Sequence, residues 1–351
     1  MKRALALVMT VALAGLLAAC SERGSSTSGE ASGTTAGGSN APAKIVMKVS
    51  HAASPADARH KGAEKFKEVL EKETNGQIDV QIYPASQLGN PTETVEAMQA
   101  GTIEMVILPS AFLGGFQPLV TVLDLPFFLP EKLDDLLKLH KSDAVKTVLE
   151  TTREKGIETI GIWHTGYKQF TANKPLVKPE DFKGVKFRAM PSPVLFGQFQ
   201  VIGGNPINLP YSETYSALQT GAIDGQENPI NTIMDMKFHE VQKAITMSYH
   251  GTLDQLIMFS KVWYDKQPDN IKAAIKKAHE AAAQETVKVT QEKEKSDLEA
   301  IKKTGKTDTI PVDATQRAAL IEAFAKTQDV YVEKTGERGK QLLELMKSAM
   351  K

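Results

Sequence analysis

The chain has 351 residues, with 42 basic and 42 acidic side chains in formal balance and one cysteine. Balanced charge excludes the basic excess that a nucleic-acid partner needs. A single cysteine excludes an internal disulfide, so a hydrophobic core must hold the fold.

Lys2 and Arg3 precede an apolar run from Ala4 to Leu17, shorter than the roughly 20 residues that span a bilayer. Residues 1–19 therefore read as an export signal. The run ends in Leu17-Ala18-Ala19-Cys20, which resembles a bacterial lipobox and makes Cys20 the expected lipid attachment point. A free cysteine is elsewhere a small buried hydrophobe, but a polar tract follows this one directly. Residues 20–43 are rich in Ser, Gly, Thr and Ala with no aromatic, the composition of a flexible tether. Without Lys2 and Arg3 there are 40 basic against 42 acidic residues, a formal charge of −2. From Lys44 onward about 300 residues remain, enough for two domains of ordinary size. No later apolar run is long enough to cross a membrane.

Ile45 to Val49 alternates as a strand. Ser54 and Pro55 then offer a helix N-cap and first turn, Ala63, Phe66 and Leu70 share one helical face, and Gly76 ends the run. Ile78, Val80 and Ile82 follow at period two, the spacing of a second strand. Asn90 and Pro91 open another helix with Glu93 at the capping-box position, Gly101 closes it, and Met105 to Leu108 reads as a strand. Repeated strand, helix, strand units predict a parallel or mixed sheet covered by helices. Further strands are expected at Thr159–Trp163 and Gly184–Ala189, and helices at Pro193–Ile202 and Ser212–Thr220. From Pro268 to about Lys303 the chain is rich in Ala, Lys, Glu and Gln, with no Gly. As one helix it would extend about 50 Å. A coiled coil is the other possibility, but its apolar positions hold no clean heptad, which favours a helix lying across two lobes. Packing helices are expected at Thr315–Lys334 and Arg338–Lys347.

Enzyme signatures are missing. The sequence has no GxSxG elbow, no phosphate-binding GxxxxGK[ST] loop, no GxGxxG after a strand, and no HExxH or CxxC spacing. Its seven histidines, His51, His60, His140, His164, His239, His250 and His279, are far apart along the chain and read as packing or surface residues. No cofactor or metal is expected.

Three segments carry a family resemblance. They are Tyr83-Pro84-Ala85-Ser86-Gln87-Leu88-Gly89, Gly184-Val185-Lys186-Phe187-Arg188, and YSETYSALQTGAIDGQENP from Tyr211 to Pro229. Leu123–Phe127 and Gly166–Thr171 add to them in the same order. Together they resemble the periplasmic binding proteins of tripartite ATP-independent (TRAP) transporters, typified by the C4-dicarboxylate-binding, DctP-like proteins. The resemblance runs through nearly all of the chain from Lys44. It implies an α/β fold, two-lobed and periplasmic-binding-protein-like, with crossing hinge strands and a long C-terminal helix spanning both lobes. On this reading 44–165 and 254–293 form lobe I, and 166–253 and 294–351 form lobe II.

The resemblance also implies a ligand carboxylate paired with a strand-end arginine, here Arg188. Guanidinium is planar, always charged, and offers paired donors that match two carboxylate oxygens. By alternation alone, Val185 and Phe187 share one strand face and Lys186 and Arg188 the other, which could equally be an ordinary solvated face. Lys168 stands where the family often has arginine; lysine keeps the charge but loses the fork, and it could simply be a surface lysine. Asn228 matches a position whose amide contacts ligand, and Pro229 pushes it out of helical geometry, although a turn-forming Asn reads the same way. Tyr211 matches a cleft aromatic or is core. Gln87, Trp163 and Phe112 complete the candidates as cleft walls. His51–Pro55 and Leu108–Ser110 hold no carboxylate suited to an amine or polyol, which favours a simple acid.

The implied mechanism is capture of the acid by one lobe, followed by hinge closure near Trp163–Thr165 and Leu253–Ile257. Two membrane subunits of a secondary importer are the implied partners. Rival readings are a binding protein for an ATP-driven importer, a ligand sensor for a membrane kinase, and an enzyme without local motifs.

Overall fold

The computed structural model describes residues 44–351, so the expected signal, lipidation site and tether lie outside the described residues. Nine strands build the sheet: β1 (Ile45–His51), β2 (Ile78–Tyr83), β3 (Met105–Pro109), β4 (Ile157–Ala172), β5 (Lys186–Ala189), β6 (Asn205–Asn208), β7 (Gly225–Asn228), β8 (Ala244–Ser260) and β9 (Asp308–Pro311). Their order is β2-β1-β3-β8-β4-β7-β5-β6, with β9 also on β8. Pairing is parallel within β2-β1-β3 and within β7-β5-β6, and antiparallel where β8 and β4 join these sets.

The long strands β4 and β8 connect the two parallel sets. The C-terminal part of β8, Gln255–Phe259, pairs with β3, whereas Gln169–Ala172 at the far end of β4 pairs with β7. Register between β4 and β8 is interrupted between His164 and Tyr167. Gly166 sits there with φ +119°, and a Cβ at that position would come within 2.8 Å of Pro229. Only glycine takes both that backbone region and that approach without strain.

Alternation decides which side chains meet. On β3, Met105 and Ile107 pack with Phe66, Trp163 and Phe259 on one face, while Val106 and Leu108 pack with Val95, Val148 and Leu256 on the other. An aromatic core lies behind β5, where Phe187 and Phe199 stack with centroids 4.2 Å apart beside Phe170, Phe182 and Phe324. The long helix is continuous over Asp269–Thr304, 36 residues, after Pro268 and before Gly305. That is about 54 Å of helix. Ile271, Ile275 and Ala278 pack on the core around β1 and β3, and Ile301 packs on Ile223, Phe238 and Ile245 around β8. One helix thus serves two separate cores.

Several boundaries differ from expectation. The first helix runs Ala58–Glu73, and its cap is Asp57, whose carboxylate accepts the Arg59 backbone N–H, not Ser54. A carboxylate at a helix N-terminus satisfies a free N–H and interacts favourably with the helix dipole. The stretch expected as a helix over Thr315–Lys334 divides into Ala314–Phe324 and Thr327–Ala349, and the second absorbs a kink at Gly336. The Thr159–Trp163 strand extends to all of β4, and helices Leu133–His140 and Asp143–Glu150 carried too short a period to be read beforehand. No described helix is long and apolar enough to cross a membrane.

Candidate functional site

Parallel strands gather loops at their C-terminal ends, which is where α/β sheets bind ligands. Arg188 lies near the C-terminal end of β5 and Asn228 at that of β7, with Ala52 just beyond β1, Pro109 at the end of β3 and Phe112 in the following turn. These five side chains line one cavity together with Arg59, Met190, Tyr211 and Leu253. Of the residues proposed from the sequence, Arg188, Asn228, Tyr211 and Phe112 are therefore brought together. The walls stand close, leaving room for about one water molecule.

Arg188 is buried, 4% exposed, and its Nε–H donates to the Leu209 carbonyl oxygen at 3.2 Å. Among the described residues no carboxylate pairs with it. Burial lowers its pKa to about 10 in spite of Tyr211 and Glu227 nearby, which favour the charged form. Its guanidinium lies 5.9 Å from the centroid of the Tyr211 ring. A desolvated cation with terminal N–H groups left without protein acceptors is poised for an anion, because an unpaired buried charge is otherwise costly. Asn228 is buried beside it and its amide donates to Gln226 Oε1, leaving the carbonyl side for a donor.

Lys168 is not in the cavity wall. It is buried on β4 and donates to Glu227 Oε1 at 2.7 Å; His250 Nε2 and Gln198 Nε2 each reach Glu227 Oε2 at 2.7 Å. Burial alone would push the Glu227 carboxyl up, but Lys168 and then His250 outweigh it and hold the carboxyl well below the usual range. The lysine charge is thus already compensated one residue from Asn228. Both readings made from the sequence, clamp and surface lysine, are replaced by a buried ion pair.

Trp163 also moves. It is fully buried in the core with Phe66, and its Nε1–H donates to His279 Nδ1 at 3.1 Å. Alternation on β4 turns its side chain to the face covered by the long helix, so it is core and not cleft wall. Gln87 is exposed on the segment after β2 and does not line the cavity.

The histidines that looked scattered are partly paired. His140 Nε2 and His164 Nδ1 bind the two oxygens of Asp254 at 2.9 and 2.8 Å, and His51 Nε2 meets His60 Nδ1 at 3.0 Å. Among the described residues no group of these or acidic side chains could hold a metal ion.

Sequence reasoning missed Arg59. Its only local sign was a basic residue two positions after a helix cap, which is common at surfaces. A second, wider groove of about 520 Å³ is lined by Glu131, Tyr249, Lys302 and Arg317 among others. There the Arg317 guanidinium is already used, by Glu131 and by the Ser248 carbonyl oxygen, and Lys302 is exposed, so the groove lacks the buried, unpaired cation that marks the first cavity.

Comparison with known proteins gives a consistent result. The family described as bacterial extracellular solute-binding protein, family 7, matches residues 49–335. The C4-dicarboxylate-binding periplasmic protein DctP of Rhodobacter capsulatus is 36% identical over 296 residues, 83% of this chain and 88% of that protein. The ectoine-binding periplasmic protein TeaA of Halomonas elongata is 30% identical over 292 residues, 82% of this chain and 85% of its own. Among solved structures, a TRAP periplasmic solute-binding protein from Desulfovibrio salexigens with bound orotic acid superimposes with a TM-score of 0.84 at 37% identity, covering 88% of this chain and 99% of that one. Another from Shewanella oneidensis with bound succinate gives 0.82 at 31% identity, covering 88% and 100%. With a mixed sheet joined by two long strands and an anion-ready cavity at its strand ends, this chain belongs to the family 7 extracellular solute-binding proteins, the DctP-like binding proteins of TRAP transporters.

Proposed function

We propose that this protein captures a small organic carboxylate outside the cytoplasm and delivers it to two membrane subunits of a TRAP importer, releasing it chemically unchanged. The observation that carries the reading is Arg188, a buried guanidinium without a protein carboxylate in a cavity at the C-terminal ends of parallel strands. Asn228 and Tyr211 flank it and fix the orientation of the acid. Relatives described as binding C4-dicarboxylate, orotic acid and succinate support an acidic ligand.

Binding proceeds by cleft closure. The cavity has room for about one water, so a four-carbon acid enters only when the walls part. Residues 44–165 with 254–293 form one lobe and 166–253 with 294–351 the other, hinged near Trp163–Thr165 and Leu253–Ile257. The register break between His164 and Tyr167 supports a hinge at that place. Ligand bound between the walls then favours the closed form by its differential affinity. At the N-terminus, Cys20 carries a lipid that tethers the exported protein to a membrane surface, after cleavage of residues 1–19.

Thermal unfolding of the chain from Lys44 onward, with a panel of organic acids, tests the reading. Ligand at 100 times its Kd stabilises by about 2.7 kcal/mol. A hit that disappears in Arg188→Ala supports carboxylate capture at this site, and a hit retained in that variant sinks the arginine assignment. Mass analysis of the lipid-extracted, full-length protein tests Cys20: an unmodified thiol at the mature N-terminus removes the anchor.

A further inference from the structure

Gly114 and Pro191 belong to opposite lobes of the proposed cleft and lie against each other. Gly114 ends the short 3-10 turn Ser110–Leu113 after β3, and Pro191 comes two residues after β5. A Cβ at Gly114 would stand 2.7 Å from the Pro191 carbonyl oxygen, 2.9 Å from Pro193 Cδ and 3.0 Å from Ser192 Cα. Close by, the Ser192 hydroxyl donates to Asp124 Oδ2 at 2.8 Å, while the Ser110 hydroxyl donates to Asp124 Oδ1 at 2.5 Å. Ser110, Gly114 and Asp124 come from residues 44–165, and Pro191–Pro193 from 166–253. We infer that these residues form a closure latch, in which Gly114 admits the opposite loop and Asp124 captures Ser192. The inference rests on cleft closure and adds the residues that hold the closed form, none of which lines the cavity.

The sequence presents Ser192 rigidly. It stands between Pro191 and Pro193, with φ −113° and ψ 129°, the extended geometry that a following proline imposes. Its N–H is tied to the Met190 carbonyl oxygen at 2.7 Å. The hydroxyl caps helix Pro193–Val201 by accepting the Leu195 N–H at 3.4 Å. A hydroxyl has one proton and two lone pairs, so the cap leaves the proton for Asp124. That carboxylate therefore sits at a helix N-terminus, where the dipole favours negative charge. Ser110, Asp124 and Ser192 are 4%, 7% and 1% exposed. In an open cleft water hydrates the free Asp124 oxygen; in a closed one without the Ser192 hydroxyl that oxygen is buried with no donor, which is costly.

The latch is continuous with the cavity wall on both sides. Pro109 precedes Ser110, Phe112 lies in the same turn, Met190 precedes Pro191, and all three line the cavity. Ala111, Met190, Leu195 and Leu253 form one buried apolar cluster with Phe112 against it. Val194 is fully buried in the core that holds Leu113, Leu119 and Val120. Side chains from both lobes thus close together around the latch, and its formation determines how near the walls approach. Gly114 has φ −54° and ψ −33°, helical values open to any residue. Its backbone does not require glycine; the approach of Pro191 does. Alanine at this position fits an open protein and clashes only in the closed one.

The test is calorimetric titration of the full chain with succinate and with orotate, joined to hydrogen exchange over residues 110–116 and 190–196. In the parent, bound acid is expected to slow exchange in both segments. Gly114→Ala is expected to weaken binding about 10-fold or more, because the fraction of closed protein sets the apparent Kd. It should also lose the ligand-induced protection, while melting without ligand at or above the parent temperature. Ser192→Ala is expected to weaken binding about 10- to 100-fold, and Ser192→Thr, which keeps a hydroxyl at the cap, to restore it. Parent affinity in both Gly114→Ala and Ser192→Ala overturns the latch while closure stands. So does a Gly114→Ala protein that melts well below the parent with unchanged affinity, since the contact is then structural only. If Gly114→Ala does not fold, the Ser192 pair decides: loss in the alanine variant with rescue by threonine supports the latch, and equal affinities overturn it. A parent that binds acid with no change of exchange in either segment overturns closure and the latch together. If the parent binds neither acid, the carboxylate reading falls by itself and exchange without ligand decides: faster exchange in Gly114→Ala supports the latch, and equal exchange overturns it.

Discussion

Lys168 on β4 and Glu227 on β7 form an ion pair at 2.7 Å in which both side chains are at least 97% buried. The pair lies directly behind the cavity, since Asn228 follows Glu227 and Gln169 pairs with Asn228 across the strands. It leaves a compensated charge one residue from Asn228, which lines the cavity with Arg188.

Removing one partner leaves the other charged and desolvated. Lys168→Met is therefore expected to destabilise the protein by about 3–5 kcal/mol, measured by urea unfolding at pH 7. The double variant Lys168→Met/Glu227→Gln should recover a large part of that loss, because no uncompensated carboxylate remains. A Lys168→Met protein as stable as the parent would show that the pair is not formed in solution.

Arg188 makes the opposite prediction. Its guanidinium is buried without a carboxylate, so without ligand Arg188→Met should be at least as stable as the parent, since apolar replacement removes an unpaired charge. Ligand-induced stabilisation by any acid should vanish in the same variant. Thermal melting with and without acid separates the two effects, and a large loss of stability without ligand would mean that the arginine is held for structure.

Asp124 provides a pH test. Its carboxylate accepts hydrogen bonds from Ser110 at 2.5 Å and Ser192 at 2.8 Å, and burial, partly opposed by Ser110, pushes its pKa up to about 6. In the unfolded chain an Asp titrates near 3.9. With the folded pKa raised, the stability from this group is full below about pH 4 and is lost as pH rises through about 6. Asp124→Asn keeps a neutral amide at the site. Relative to the parent, it should be about 1–3 kcal/mol better placed at pH 7.5 than at pH 4, by urea titration at both values. An equal difference at the two pH values would show that Asp124 titrates normally.

Buried histidines act at the other end. Burial lowers the pKa to about 4 for His250 and His279 and to about 3 for His51, from 6.5. With folded pKa values depressed, the stability these neutral rings contribute is present above pH 6.5 and lost as pH falls toward 4 and below. Unfolding free energy should therefore decline across this window by about 1.4 kcal/mol for each proton taken up per pH unit. His279→Gln offers Trp163 an acceptor that does not charge, so this variant should decline less steeply. An identical slope in the variant would remove His279 from the account.

The elements that could be read beforehand were those whose causes are local. The Asn90–Glu93 capping box, the β1 and β2 alternation, and the Pro268-to-Gly305 helix depend on neighbours within one or two turns, and the structure contains each of them. Family resemblance indicated the place of Arg188, and alternation separated it from Phe187. Only the tertiary structure decided which charges are compensated. Lys168 and Glu227 are 59 residues apart, and nothing in either neighbourhood marks them as partners. Trp163 became core because the long helix, more than 100 residues later, covers its face of β4. Arg59 is the sharpest case: its sequence context is that of any surface helix, and it became a buried cation on the cavity wall, with Asp57 3.4 Å from its Nε, because β1 and β5 are brought to one cavity across the sheet. Local order follows from short-range spacing, but compensation of charge depends on which distant groups the fold brings within a few ångströms, and a low-dielectric interior makes that difference large.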